Sequence, residues 1–144
     1  MKTLRRLAIA MAALCGLAIY AIPSSAHHSF AAFDTTKTVE LKGIVAEFQW
    51  TNPHSWIELD VPGANGAVDR WSIELNSPNN LSRQGWKRKD LQPGDKVTVT
   101  AAPMRDGRNS GLFRTVVLAD GRIHKDPSVR SGAEGPAQPA QPAQ

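Results

Sequence analysis

Cysteine and tyrosine occur once each in the 144 residues, as Cys15 and Tyr20, and both fall near the N-terminus. Lys2, Arg5 and Arg6 precede an uncharged run from Leu7 to Ile22, which Pro23 interrupts ahead of Ser24-Ser25-Ala26. A basic start, an apolar stretch and small residues at −3 and −1 of a cut form the layout of a secretory signal peptide. The stretch is shorter than the roughly 20 residues of a comfortable membrane span, and an uncleaved signal-anchor is the alternative. Ala12 and Leu14 stand where lipoprotein processing would need a leucine and a small residue before Cys15. Cleavage after Ala26 leaves a chain without cysteine or tyrosine. That chain forms no disulfide, although export permits one, and it offers no thiolate nucleophile or cysteine-rich zinc site.

Catalytic signatures are also missing. The sequence has no G-x-S-x-G elbow, no H-E-x-x-H and no P-loop. Glu58 and Asp60 are same-face neighbours on a strand, a placement that faces water more often than a hydrolytic cleft. Net charge excludes a further class. The formal charge of +4 includes Lys2, Arg5 and Arg6. The processed chain is therefore nearly neutral and has no general affinity for nucleic acid through net charge.

Three segments follow: a leader over 1–26, one domain over 27–126, and a tail over 127–144. The tail repeats Pro-Ala-Gln with almost no large apolar residue, so it is expected to be disordered. Within the domain the apolar period is two. TVELKGIVAEFQW carries Val39 and Leu41 on one face. After Gly43 the pattern passes to Ile44, Ala46, Phe48 and Trp50, which predicts a bulge and bend at Gly43. TNPH is a turn. SWIELDV turns Ile57, Leu59 and Val61 inward and Trp56, Glu58 and Asp60 outward. PGANG closes a hairpin onto WSIEL, with Trp71, Ile73 and Leu75 inward. Ser77-Pro78 starts a short helix over 79–84 that Gly85 ends. KVTVTA and LFRTVVLA are two more strands, and RIH is a short sixth segment. The expected fold is all-β: a small five-stranded OB-like Greek-key barrel with one short helix between strands 3 and 4. A β-sandwich fragment is the alternative.

HHSF, WTNPHSWIELDV, ELNSPNNLSRQGW and LQPGDKVTVT together resemble an uncharacterised family of small exported bacterial proteins, a domain of unknown function. The likeness spans about residues 27 to 124. It implies an extracytoplasmic, periplasmic address and a small β domain, and it supplies no activity or ligand.

Four histidines are present, His27, His28, His54 and His124. A processed chain beginning at His27 offers its α-amine and ring Nδ1 to one metal. One further imidazole would complete a T-shaped nitrogen site suited to copper(II) or another divalent metal. His54, in a turn, is one candidate for that third ligand, and His28 is the other. The plain alternative is two solvated histidines and a turn residue bonded to backbone. The outward face of Trp56, Glu58 and Asp60 is a candidate ligand face, because OB-folds bind through their second and third strands. Packing of Trp56 beneath Phe30 or Phe33 is its alternative. Trp86 is expected to plug the barrel, and RQGWKRKD to be a solvated loop rather than a nucleic-acid patch. Glu74, near Asn76, Asn79 and Asn80, suggests a polar cap network, with Arg114 as a possible partner.

Three classes stay open: a periplasmic metal- or ligand-binding module, a structural adaptor acting on an envelope protein, and an oxidative copper enzyme. The last lacks an axial tyrosine, since Tyr20 leaves with the leader. The expectation is the first: a monomeric, non-catalytic binder of a small ligand or metal that takes no nucleic acid and keeps no membrane span.

Overall fold

The computed structural model describes residues 30–127 and 138–139. Residues 1–29, among them the expected leader, His27 and His28, and the rest of 128–144 lie outside the described residues. The strands are β1 (Val39–Gln49), β2 (Trp56–Pro62), β3 (Val68–Glu74), β4 (Lys96–Pro103), β5 (Ser110–Val117) and β6 (Ile123–Lys125). A helix, α1 (Pro78–Arg83), follows β3, and β7 (Gln138–Pro139) pairs in parallel with Val39 and Glu40.

The strands close a ring in the order β1-β2-β3-β5-β4-β1. All ring pairings are antiparallel except β3–β5. This is the five-stranded OB-like barrel that the order of strands and helix predicts. β1 closes the ring by serving two neighbours: Val39–Ile44 pair with β4, and Ile44–Gln49 pair with β2. Closure removes open sheet edges, which otherwise recruit foreign strands.

The bend has two parts, and only one lies where the alternation placed it. Gly43 sits at the handover from β4 to β2. A Cβ there would stand 2.5 Å from the Asp60 carbonyl oxygen and 2.9 Å from Leu59 Cγ. Only a residue without a side chain lets β2 come so close. The bulge itself falls later. Val45 pairs with Leu59 and Glu47 with Glu58, which leaves Ala46 as the extra residue. The inward face therefore continues through Leu41 and Val45, both buried, and Ile44 points outward at 45% exposure. The expected inward Ile44 is thus corrected. Glycine has no side chain to mark which face it occupies, so the sequence pattern puts the break three residues ahead of the bulge at Ala46. Phe48 and Trp50, beyond the bulge, pack on the core as expected.

Elsewhere the alternation holds. Ile57, Leu59, Trp71, Ile73, Leu75, Val97 and Val99 are all buried. In α1, Ser77 is the N-cap, its hydroxyl accepting from the Asn80 amide, with Pro78 at the first helical position. Gly85 follows the helix with φ +89°. Leu81, Trp86 and Leu91 bring the helix and the loop behind it into the main core. Trp86 lies between Phe48 and Phe113, at centroid distances of 5.9 and 5.5 Å. It closes the barrel interior as expected of a plug.

Gly43→Ala is expected to cost about 1–3 kcal/mol, because the new methyl would collide with β2 backbone that other pairings hold in place. Urea unfolding should show a lower midpoint with an unchanged slope. An unchanged midpoint would mean that the crossing of β1 and β2 is not tight.

Candidate functional site

Successive residues of a strand face opposite sides. Trp56, Glu58 and Asp60 of β2 accordingly share the outer face of the barrel with Arg70, Ser72 and Glu74 of β3, and the register sets them opposite one another. Arg70 Nε donates to Asp60 Oδ1 at 2.5 Å, and Ser72 Oγ donates to Glu58 Oε2 at 2.8 Å. Opposite Trp56, which is half-buried, stands Glu74. The candidate ligand face therefore exists as one surface, but two of its carboxylates already belong to cross-strand rungs. Such rungs contribute a few tenths of a kcal/mol up to about 1 kcal/mol each.

Glu74 is the exception, a carboxylate only 6% exposed. A buried carboxylate needs donors. One is His54, whose Nδ1 lies 2.5 Å from Glu74 Oε1. Backbone bonding places this histidine. The β2–β3 ladder continues past the first residue of β2, with the Ser55 amide donating to the Asn76 carbonyl (3.1 Å) and the Leu75 amide to the Ser55 carbonyl (2.9 Å). Ser55 is fully buried, so His54 leaves the sheet on the opposite, outer side beside Glu74. The bond to Glu74 commits Nδ1 and fixes the ring plane. Nε2 has no hydrogen bond among the described residues, and it belongs to a side chain 38% exposed. An imidazole held by a carboxylate at one nitrogen and accessible at the other is the common arrangement of a metal-binding or proton-handling histidine.

Arg114 lies elsewhere. It is the extra residue of a bulge in β5, where Thr100 pairs with Thr115 and Ala101 with Phe113. Its guanidinium donates to the carbonyls of Thr35 (2.6 Å) and Lys37 (3.3 Å). It thereby ties down the segment that leads from the N-terminus into β1. The same segment is fastened further upstream. Phe33 is buried and pairs with Met104, the Asp34 amide donates to the Pro103 carbonyl (2.8 Å), and the Arg105 amide donates to the Ala32 carbonyl (2.9 Å). Phe33 and Ala102 are both buried outside the main core cluster. Thr36 and then Lys37 hydrogen-bond the Asp34 carboxyl and hold it below its usual range against the opposing effect of desolvation. The first described residues thus run along the turn between β4 and β5.

A second histidine cluster lies at the Trp86 end. His124 stacks on Trp86 with centroids 4.1 Å apart and planes at 21°. Its Nε2 is 3.4 Å from Asp90 Oδ2, and Arg122 Nη1 donates to Asp90 Oδ1 at 3.0 Å. The Lys87 amide also donates to Asp90, at 2.7 Å. Nothing in the sequence separates His124 from a solvated residue until β6 is paired with β5 and sets it opposite Val116. Trp86 is buried, so its ring is not on offer to a base, and Arg88 donates to the Trp50 carbonyl at 3.1 Å. Burial lowers the His124 pKa below 6.5; Asp90 opposes this and Arg122 adds to it. Burial works to raise the Asp90 carboxyl, but the Lys87 amide, Arg122 and His124 outweigh it and leave it lowered. Among the described residues, no group of three or more His, Cys, Asp or Glu side chains is placed to hold a metal alone.

The lowered His124 pKa means that the unfolded chain takes up the proton first as pH falls. The stability from neutral His124 is complete above about pH 6.5 and is lost as pH drops through the lower folded value. The Asp90 contribution is complete above about pH 3.8, the ordinary aspartate value, and is lost at still lower pH. The melting temperature should therefore decline on acidification below about pH 6.5, with a matching change in tryptophan fluorescence. His124→Phe, which keeps a ring against Trp86, should flatten the first part of that decline. An identical pH profile in the variant would remove His124 as its source.

The chain belongs to DUF6152, a family of unknown function, whose model matches residues 13–114. No curated protein and no solved structure matches it.

Proposed function

We propose, from membership of this family and from the geometry around His54, that the processed protein is a non-catalytic binding module of the bacterial periplasm. In this proposal it takes copper(II), or another divalent metal, through His27 at its new N-terminus and His54. The observation that carries the reading is the contact between His54 and the buried Glu74. A carboxylate behind a ligating imidazole fixes its tautomer and orientation and raises its basicity. The described residues supply one such imidazole, so the remaining donors must come from the His27 amine and ring, with His28 as the alternative third nitrogen. Copper(II) suits such a set because imidazole and amine nitrogens in a square arrangement are its preferred surroundings.

Chain length allows the two parts to meet. Six residue steps separate His27 from Phe33, a reach of up to about 20 Å. Phe33 is fixed opposite Met104, and one intervening strand, β5, separates β4 from β3. Phe33 itself stands one spacing beyond β4, so three strand spacings of about 4.8 Å put Glu74 roughly 15 Å away, within that reach. Metal binding would displace a proton from the amine, whose reference pKa is about 7.7–8.0, so affinity should fall as pH falls.

Calorimetric titration of copper(II) into protein beginning at His27 should show one saturable site. An extra Gly-Ser ahead of His27, or His54→Ala, should each weaken it at least tenfold. Glu74→Gln should weaken it by about 10–100-fold through loss of orientation. Equal affinity with and without the extra dipeptide would remove the amine from the site. Equal affinity in His54→Ala would transfer the third position to His28. Mass spectrometry of the exported protein tests the address as well, since its first residue must be His27.

A further inference from the structure

A different surface carries a site for another class of ligand. The outer face where β1 changes neighbours holds a groove of about 660 Å³, within the roughly 300–1,000 Å³ of small-molecule sites. The handover explains why it is there. Ile44 pairs with Lys96 on one side and Asp60 on the other, so the two ladders diverge around it. The β2–β3 hairpin leans away on one side, and the start of β4 and the end of β5 form the other. Of the four large hydrophobic side chains exposed among the described residues, three line this groove: Ile44 (45%), Val68 (65%) and Val117 (37%). Val97 and Leu118 extend the apolar lining from the core.

Charge at the rim is of one uncompensated sign. Lys42 and Lys96 both line the groove. Lys42 is 3.1 Å from Glu40, but Lys96 has no ion pair among the described residues. The acid at the groove, Asp60, is neutralised by Arg70. Aliphatic lining beside a free ammonium fits a molecule with a hydrocarbon chain and an anionic head. Three exposed aliphatic side chains are too few for a second copy of the chain, since a stable interface takes about 800 Å² from each partner.

We propose that this groove binds a single-chain fatty acid, with the acyl chain along Ile44, Val68 and Val117 and the carboxylate at Lys96 and Lys42. The site is independent of the metal reading and uses none of its residues.

Decanoate and decanol, titrated into the purified full chain by calorimetry, separate the two parts of the ligand. Decanoate should bind saturably and at least fivefold more tightly than decanol, and the Lys42→Gln/Lys96→Gln double variant should abolish that difference. Affinity should rise steeply from octanoate to dodecanoate, by up to about fourfold for each methylene that becomes fully buried. Val68→Asp replaces a side chain 65% exposed, so the fold should persist by circular dichroism while decanoate affinity falls at least tenfold. Equal binding of decanol and decanoate overturns the carboxylate assignment. Absence of saturable binding at millimolar decanoate, or full affinity in Val68→Asp, overturns the site. A concentration-dependent dimer in sedimentation that Val68→Asp dissolves would give the groove to a second copy and also overturn it.

Discussion

The crossing of β1 over β2 at Gly43 is the constraint on which the rest of the molecule depends. One strand must satisfy two ladders, and its backbone must approach the Asp60 carbonyl more closely than any side chain would allow. From that single approach follow the closed ring and the inward row of Leu41 and Val45. Ile44 lies between them and points outward by the same alternation. The bulge at Ala46 then restores Phe48 to the interior, where it meets Trp86. A small barrel has no spare core, so a glycine and a bulge that re-aim one strand decide the packing of several large side chains.

Much of this architecture was legible in the sequence because the physics behind it is local. Period-two alternation marks Ile57, Leu59, Ile73 and Val99 without any knowledge of their partners. Ser77 and Pro78 announce a helix start for reasons confined to the first turn. The face of residues 43–46 was harder, because glycine and alanine carry too little side chain to reveal a side of the sheet. The partner of Glu74 was harder still. Its contact with His54 is a diagonal one, set by the register of β2 against β3 and by ladder bonds through Ser55. A polar cluster can be read from Asn76, Asn79, Asn80 and Glu74, but its donor cannot be found without that register. His124 belongs to the same class, since its neighbours Trp86, Asp90 and Arg122 come from two separate loops.

The polar groups on the outer face are not equivalent, although they look alike in sequence. Glu58 and Asp60 are partly solvated and bonded across the strand pair, so losing a partner there costs little that water does not return. Glu74 is buried, and burial turns each of its hydrogen bonds into a requirement. His54 is thus held by a group that cannot readily release it. Rigidity in this part of the surface is concentrated at one imidazole, and a preorganised ligand costs less ordering when something binds.

The β2–β3 hairpin joins the two candidate sites. His54 and Glu74 stand at its base, and Val68, with the residues around Pro62, stands at its tip. At about 3.3 Å per residue, the length of β2 separates them by roughly 20 Å. Between them run the Glu58–Ser72 and Asp60–Arg70 rungs. A ligand at one end cannot touch a ligand at the other, so any influence between them would have to pass through hairpin backbone braced by β1. That bracing is strongest where Gly43 lets β2 sit closest, immediately beside the groove. β2 is consequently held at Asp60, at the edge of the groove, while Pro62 and Val68 lie beyond the pairing with β1. Occupancy of the groove should therefore leave the orientation of His54 unchanged. The same tight crossing that closes the barrel makes its two surfaces separate instruments.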